Sequence, residues 1–162
     1  MTHVHLATGL AHRRESGQEL VLMVASRYAN HPGPLWNLPG GRQRPGELLV
    51  DTVEREVFEE TGFRVRVGAL AYLSESYDGD VHFINTTFHV TLLSETSALR
   101  PLPAEGDHVV DVAWVPADQI ATRVSVGVIR KPLLAYLCGD LAQRYAGYHD
   151  AGITIVWPKD SS

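Results

Sequence analysis

The sequence predicts an α/β domain, and two kinds of hydrophobic pattern carry this prediction. Apolar and polar residues alternate over residues 65–73, and residues 81–93 follow an Asp-Gly turn, as in a β-hairpin. Residues 49–57 and 127–145 instead repeat their apolar residues at intervals of three and four, which predicts two helices. Because strand and helix patterns are interspersed along 162 residues, we expect a single domain spanning residues 1–162 with its own core.

Further strands are predicted outside these elements. Residues 4–12 and 19–25 have the composition of strands and flank a polar turn at 13–17, which predicts a hairpin at one side of a mixed sheet. Residues 109–115 predict another strand. The tail at 152–157 is also strand-like, and it can pair with a sheet edge of the same chain or of a second copy in a homodimer.

The composition argues against several classes of protein. A net formal charge of −5 argues against broad nucleic-acid binding through a basic surface. The single cysteine, Cys138, excludes an intramolecular disulfide, and its apolar helical surroundings predict a buried structural thiol. The opening residues lack the pattern of a signal peptide, and no apolar run approaches the length of about 18 residues needed to span a membrane. We therefore expect a cytoplasmic protein without membrane contact.

Acidic residues crowd the end of the first predicted helix. Glu56, Glu59 and Glu60 are neighbours on a helix, where like charges three or four residues apart destabilise by a few tenths of a kcal/mol. Gly62 is a helix stop, so Glu59 and Glu60 fall in the last turn, where the backbone carbonyls already carry partial negative charge. This placement predicts a bound cation, and a set of oxygen ligands favours Mg²⁺ or Mn²⁺ over zinc.

A helical projection directs two of these acids toward the protein interior. Leu49, Val53 and Val57 form one apolar stripe, and Glu56 and Glu60 lie on or beside it. Burying unpaired carboxylates costs several kcal/mol, so the projection also predicts a metal ion or a cationic partner. The alternative is a solvated acidic helix face, which explains the inward placement less well.

The loop before this helix is suited to phosphate. Gly40 and Gly41 allow the backbone to approach an ion or a phosphate closely. Arg42 and Arg44 lie in the same loop, and guanidinium groups match the geometry of phosphate oxygens.

Residues 41–63 carry a longer signature, which consists of Gly41, Glu47 and the run REVFEETGF at 55–63. This signature resembles the Nudix box of the Nudix hydrolases, the MutT-like family. The resemblance implies a Nudix fold, in which a mixed β-sheet is sandwiched between α-helices. It also implies metal-dependent hydrolysis of a pyrophosphate bond in a small nucleotide, namely a nucleoside diphosphate linked to another moiety. Nucleoside di- and triphosphates, nucleoside diphosphate sugars and dinucleoside polyphosphates all remain open as substrates.

The resemblance further implies roles for individual residues. Arg55 would pair with Glu47 and brace the loop on the helix, and the backbone carbonyl of Gly40 would be a metal ligand. Thr52 departs from the family pattern, since many relatives carry alanine there. The implied metal-ligand and general-base set is Glu56, Glu59 and Glu60.

Residues outside the signature complete the expected site. Many relatives place one more acid before the last strand, and this chain offers Glu105, Asp107 and Asp111, with His108 where the usual glutamate would align. In similar proteins a basic residue near the end of the second strand often contacts substrate phosphates, and Arg27 has this position here. The equal alternative is that Arg27 is a solvated residue at the strand end. The expected substrate-binding side chains are Arg27, Arg42, Arg44 and Tyr77.

A protein of another class remains an alternative. A Nudix fold can sense a nucleotide or mediate protein contacts without catalysis, but such proteins usually lose acids from the box, and this chain keeps all of them. A third hypothesis treats the acidic helix as a structural metal site, which leaves the paired glycines and the flanking arginines unexplained.

Overall fold

The computed structural model describes residues 1–93, 108–141 and 144–156. In these ranges the strands are β1 (Thr2–Leu10), β2 (His12–Glu15), β3 (Gln18–Ser26), β4 (Leu35–Asn37), β5 (Gly40–Arg42), β6 (Val65–Asp78), β7 (Val81–Leu92), β8 (Val109–Pro116) and β9 (Tyr145–Tyr148). The helices are α1 (Leu49–Thr61), α2 (Ile120–Arg123) and α3 (Gly127–Leu137).

The strands form two sheets. A five-stranded mixed sheet has the order β5-β1-β7-β6-β9, in which β1 runs parallel to β7 and β9 runs parallel to β6. The β6–β7 pair is the hairpin predicted from the alternating pattern and the Asp-Gly turn. The second sheet is antiparallel and centred on β3, which pairs with β8, β2 and β4.

Helices cover both faces of this double sheet, as the side chains of β3 show. Leu22 and Val24 point into a core that contains Val53 and Val57 of α1. The alternate residues of β3 point into a second core, which contains Ile120 of α2 and Leu133 of α3. The α/β fold with helices on both faces is therefore confirmed, with two adjoining sheets in the middle layer. None of the helices in the described part of the chain is long and apolar enough to cross a bilayer.

The predicted N-terminal hairpin was wrong in its first strand. The apolar pattern continues through residues 4–12, but the chain leaves the five-stranded sheet after Leu10 and enters the other sheet at His12. At the junction, the carbonyl of Ala11 accepts a hydrogen bond from Leu22 N–H at 2.9 Å. The hairpin partner of β3 is thus the short strand β2, because a period-two pattern does not reveal to which sheet a strand belongs.

The second long helix is shorter than predicted. Helix α3 ends at Leu137, Cys138 forms its C-cap, and Gly139 then adopts a φ of 76°, a conformation that a continuing helix does not allow. The chain turns back and forms β9 within the stretch predicted as helix. The predicted burial of Cys138 is therefore wrong, since the thiol is exposed at the helix end.

The tail was predicted as a strand over 152–157, and residues 152–156 form none. Their backbone polar groups bond instead to side chains of the loop after β3, where Asn30 and His31 contact Thr154 and Val156. The strand that joins the sheet edge is β9, a few residues earlier. Trp157 lies outside the described residues.

Candidate active site

Helix α1 carries acidic side chains into the protein, as the helical projection predicted. Val53 and Val57 are fully buried, and they turn the same face of the helix toward the core. Glu60 is 5% exposed and the side chain of Glu56 is 16% exposed. Gly62 ends the helix with a φ of 80°. Two carboxylates therefore lie at the boundary between the core and the loop before the helix.

The glycine pair of β5 brings the backbone of that loop against both carboxylates. Gly40 N–H donates a hydrogen bond to Glu60 Oε1 at 2.8 Å. A Cβ at Gly40 would lie 2.3 Å from the carbonyl oxygen of Ala7, and a Cβ at Gly41 would lie 2.7 Å from the Glu56 carboxylate. Any larger residue at either position would displace a strand or a carboxylate, so the close approach explains both glycines.

Arg55 joins the loop to the helix through several acids. Its Nε donates to Glu47 Oε2 at 2.7 Å, and its Nη2 donates to Glu47 Oε1 at 3.0 Å. Its Nη1 donates to Glu56 Oε1 at 2.7 Å and lies 3.3 Å from Glu59 Oε2. The hydrogen bonds from Arg55 lower the pKa of Glu47 to about 2, and the bond to Glu47 raises the pKa of Arg55. The pairing of Arg55 with Glu47 is confirmed.

Three glutamates of the site pair with a single cation, the guanidinium of Arg55. Burial raises the pKa of Glu56, against the lowering effect of the Arg55 hydrogen bond, because a carboxylate loses hydration in this position. Glu47, Glu56 and Glu59 all share the guanidinium of Arg55. The site thus concentrates negative charge in a partly dehydrated place.

This set of donors suits a hard divalent ion. The ligand atoms offered are carboxylate oxygens and backbone carbonyls, which Mg²⁺ and Mn²⁺ prefer. Among the described residues, no three His, Cys, Asp or Glu side chains converge as they would around one ion. Arg55 donates to Glu56 and Glu59, and Gly40 N–H donates to Glu60. Each carboxylate offers about four lone-pair sites, so acceptor sites are left for an ion.

Thr52 contributes to the site in a way that sequence reasoning missed. The residue is fully buried, and its hydroxyl lies 3.2 Å from Glu47 Oε1 and 3.3 Å from the carbonyl oxygen of Leu48. An alanine would lack this donor. The departure from the family pattern therefore adds a hydrogen bond to the carboxylate that anchors Arg55. The available signal in the sequence was a hydroxyl five residues after Glu47, near the start of α1.

A cleft between the two sheets opens beside the acids. Its inner cavity, of about 50 Å³, is lined by Gly40, Gly41 and Glu60 together with residues that the sequence did not single out, among them Thr8, Tyr28 and Asn37. An adjoining apolar chamber, of about 100 Å³, shares Leu6, Tyr28, Asn37 and Asn85 with the inner cavity. The acids therefore sit at one end of a longer cleft.

The expected substrate-binding side chains lie outside the cleft. Arg27, Arg42 and Arg44 are exposed, and neither cavity includes them in its lining. Tyr77 stacks on His82 with ring centroids 4.3 Å apart. Tyr77 lines neither cavity, whereas its neighbours Ser76 and Asp78 line the chamber.

None of the three candidates for the additional acid is seen at the cleft in the described part of the chain. Asp111 is exposed, accepts a hydrogen bond from Val112 N–H, and lines neither cavity. Glu105 and Asp107 lie outside the described residues. His108 lines the inner cavity, and its charge favours the ionised form of Glu56. A histidine therefore lines the cavity close to the segment in which the additional acid was expected.

Comparison with known proteins agrees with this geometry. Residues 3–137 match the family model described as NUDIX domain. The chain therefore belongs to the NUDIX domain family.

Curated relatives and solved structures support this assignment. The chain is 35% identical over 92 residues to the putative mutator protein MutT4 of Mycobacterium tuberculosis, covering 56% of this chain and 36% of that protein. It is 31% identical over 108 residues to the human 8-oxo-dGDP phosphatase NUDT18, covering 66% of this chain and 31% of the relative. The chain thus spans about a third of the length of these relatives. The crystal structure of a MutT protein from Methanosarcina mazei Go1 has the same fold, with a TM-score of 0.65 at 21% identity over 86% of this chain and 96% of that one.

Proposed function

We propose that this chain is a divalent-metal-dependent hydrolase that cleaves a pyrophosphate bond in a nucleoside diphosphate linked to another moiety, by attack of water at phosphorus. One observation carries the proposal. Glu56 and Glu60 are directed inward from α1 and meet the backbone of Gly40 and Gly41 at the end of a cleft. A structural helix has no need of buried acids beside an open cavity.

The proposal assigns a role to each element of the site. Glu56, Glu59, Glu60 and the Gly40 carbonyl would hold Mg²⁺ or Mn²⁺. When bound, such an ion neutralises charge that develops on phosphate oxygens and lowers the pKa of the attacking water. A carboxylate of this set that is not a ligand accepts the proton of the attacking water.

Positively charged groups are proposed to act at the edge of the site. Arg55 and Glu47 hold the glycine loop against the helix, which keeps the acids in place. Arg42 and Arg44 are exposed in or beside that loop, where they can bind the outer phosphate oxygens. Arg27 is exposed directly before Tyr28, which lines both cavities, and it remains a candidate for the same role.

The lining of the cleft favours a nucleotide with few phosphates. Among the described residues that line the two cavities, none is lysine or arginine, and His108 is the one basic side chain. A densely phosphorylated group would find little positive charge there. The name of the human relative, an 8-oxo-dGDP phosphatase, points to a nucleotide substrate for that protein and supports the same class here.

The test is a hydrolysis assay on a panel of phosphate compounds. Nucleoside triphosphates, nucleoside diphosphate sugars, ADP-ribose and diadenosine polyphosphates are incubated with Mg²⁺ or Mn²⁺, and released phosphate and nucleotide are measured. Glu60→Gln should lower kcat on the order of a hundredfold, and a chelator should abolish turnover. Glu54→Gln is the matched control, since it makes the same change on the exposed side of α1.

Two results would contradict the proposal. Absence of turnover on the whole panel, with tight nucleotide binding in both wild type and Glu60→Gln, would indicate a binding module without catalysis. Absence of turnover and of nucleotide binding, with a metal-dependent rise in the melting temperature, would indicate a structural metal site.

A further inference from the structure

The C-terminal strap, defined here as residues 151–156, forms one wall of the apolar chamber. Ile153 and Ile155 line the chamber and are half-buried, whereas Thr154 and Val156 between and after them are exposed. This alternation is that of an extended segment with one apolar face. The strap therefore presents two isoleucines to the cleft, although it belongs to no sheet.

Strand β6 holds the strap by two hydrogen bonds. Ala151 N–H donates to the carbonyl of Tyr77 at 2.7 Å, and Thr154 Oγ1 donates to Asp78 Oδ1 at 3.0 Å. Ala151 is itself buried. These contacts attach the start and the middle of the strap to the end of the five-stranded sheet.

The loop after β3 also holds the strap. Asn30 Nδ2 donates to the carbonyl of Thr154 at 2.5 Å, and Asn30 Oδ1 accepts from Val156 N–H at 2.9 Å. His31 Nε2 lies 2.9 Å from the same Thr154 carbonyl. The carboxamide of Asn30 thus offers one donor and one acceptor to the strap backbone, as a neighbouring strand would. The strap is thus held by both β6 and the loop after β3.

The chamber between these attachments combines apolar walls with a polar rim. Phe83 and Ile129 face it in addition to the isoleucines of the strap. Asn37 and Asn85 line both the chamber and the inner cavity, and their Oδ1 atoms accept from Leu38 N–H and the Thr8 hydroxyl. Within the described residues, the Nδ2 atoms of Asn37 and Asn85 donate no hydrogen bond, so each can donate to a ligand. Apolar faces with hydrogen-bond donors at one edge match a nucleobase.

We propose that the C-terminal strap is the specificity-determining element of this hydrolase: Ile153 and Ile155 pack against the nucleobase of the substrate, and Asn30 is a positioning residue that holds them there. The proposal rests on the proposed function. Its geometric basis is that the chamber shares a wall of Leu6, Tyr28, Asn37 and Asn85 with the cavity at Glu60. A nucleotide with its phosphates at the acids can extend its base toward the strap.

The first test measures binding without turnover. Adenosine, guanosine, cytidine and uridine monophosphates are titrated calorimetrically into the full chain, with inorganic phosphate as the probe that lacks a base. Ile153→Ala and Ile155→Ala should each weaken binding of the preferred nucleotide about tenfold, because the variant loses apolar contact with the base. Phosphate binding should not change. Leu70→Ala, which truncates a side chain that is 44% exposed and lines neither cavity, is the matched control.

Kinetics then separate positioning from a merely structural effect. Asn30→Ala should raise KM for the nucleotide substrate several-fold and leave kcat unchanged, since it removes binding that is equal in the ground state and the transition state. Ile153→Val removes one methylene, keeps the fold, and should give a smaller change of the same kind. Equal affinities of all strap variants and wild type for every nucleotide would overturn the inference.

The two proposals fail in different ways. Turnover with unchanged KM in the strap variants would leave the hydrolase in place and remove the role of the strap. Weakened nucleotide binding in the strap variants, together with no turnover by any form, would remove the hydrolase and leave the strap as part of a nucleobase pocket.

Discussion

Arg55 donates two hydrogen bonds to the carboxylate of Glu47, from Nε at 2.7 Å and from Nη2 at 3.0 Å. Its Nη2 also donates to the carbonyl of Arg42 at 3.1 Å. One side chain on α1 thereby holds both ends of the segment 42–47, which follows the glycine pair of β5. The two charged groups are largely withdrawn from water, with 16% and 18% of their side-chain surfaces exposed.

Removing Glu47 should therefore destabilise the fold. Glu47→Ala leaves two donors of a partly buried guanidinium without their acceptor, and we expect a loss of about 1–3 kcal/mol in the free energy of unfolding. Urea unfolding measures this loss, and Glu54→Ala on the exposed side of α1 serves as control. A loss no larger than that of the control would show that the loop is held by other contacts.

The two glycines of β5 should respond differently to alanine. At Gly40 the new Cβ would meet the backbone oxygen of Ala7 at 2.3 Å, so β5 must move and the protein should lose about 2 kcal/mol or more of stability. At Gly41 the Cβ meets the Glu56 carboxylate, which can turn aside, so the fold should persist while hydrolysis falls. Melting curves and turnover of each variant test this contrast. Gly33→Ala has no heavy atom within 4 Å of the new Cβ and should change neither property.

Divalent metal should stabilise the native protein through the crowded acids. An ion that binds only the folded state adds about 2.7 kcal/mol at a concentration of 100 times its dissociation constant. Mg²⁺ or Mn²⁺ should thus raise the melting temperature of wild type, and removal of the ion should reverse the rise. Glu56→Gln and Glu60→Gln should show a smaller rise than Glu54→Gln. Equal rises in all three variants would place the ion elsewhere.

His89 should make stability fall in mild acid. Burial lowers the pKa of His89, and the nearby charges of His12 and Arg144 lower it further. Between this lowered pKa and the unfolded value of about 6.5, the unfolded chain binds more protons than the native one. The contribution of His89 to the free energy of unfolding is thus fully present above about pH 6.5. It declines as the pH falls toward the pKa of His89 in the native state.

Urea unfolding of wild type and His89→Gln from pH 7.5 to pH 5 measures this contribution. Glutamine can still accept a hydrogen bond from Tyr136, the neighbour of His89 Nε2, but does not titrate. The wild type should lose more stability than the variant over this range. Parallel pH profiles would show that His89 is equally easy to protonate in both states.

Local patterns in the sequence predicted much of the fold and of the acidic site. The stripe of Val53 and Val57 placed Glu56 and Glu60 correctly, since helical geometry alone relates these positions. The β6–β7 hairpin followed from alternation and an Asp-Gly turn in the same way. The sequence predictions failed at the ends of elements. The chain changes sheets at Ala11, and α3 ends at Leu137 with Cys138 as its C-cap. Residues distant in sequence determine where such elements end.

By itself, the sequence determined what depends on residues close together in the chain: the α/β class, the inward acids of α1, and the pairing of Arg55 with Glu47 that the family signature implied. Only the tertiary structure decided which distant residues share a cavity. Asn37 and Asn85 line the same two cavities because they belong to two different sheets that border the cleft. The C-terminal strap can form a wall of the chamber because the carboxamide of Asn30, rather than a neighbouring strand, hydrogen-bonds to the strap backbone. Both arrangements bring together residues far apart in the chain, and no local sequence pattern predicts them.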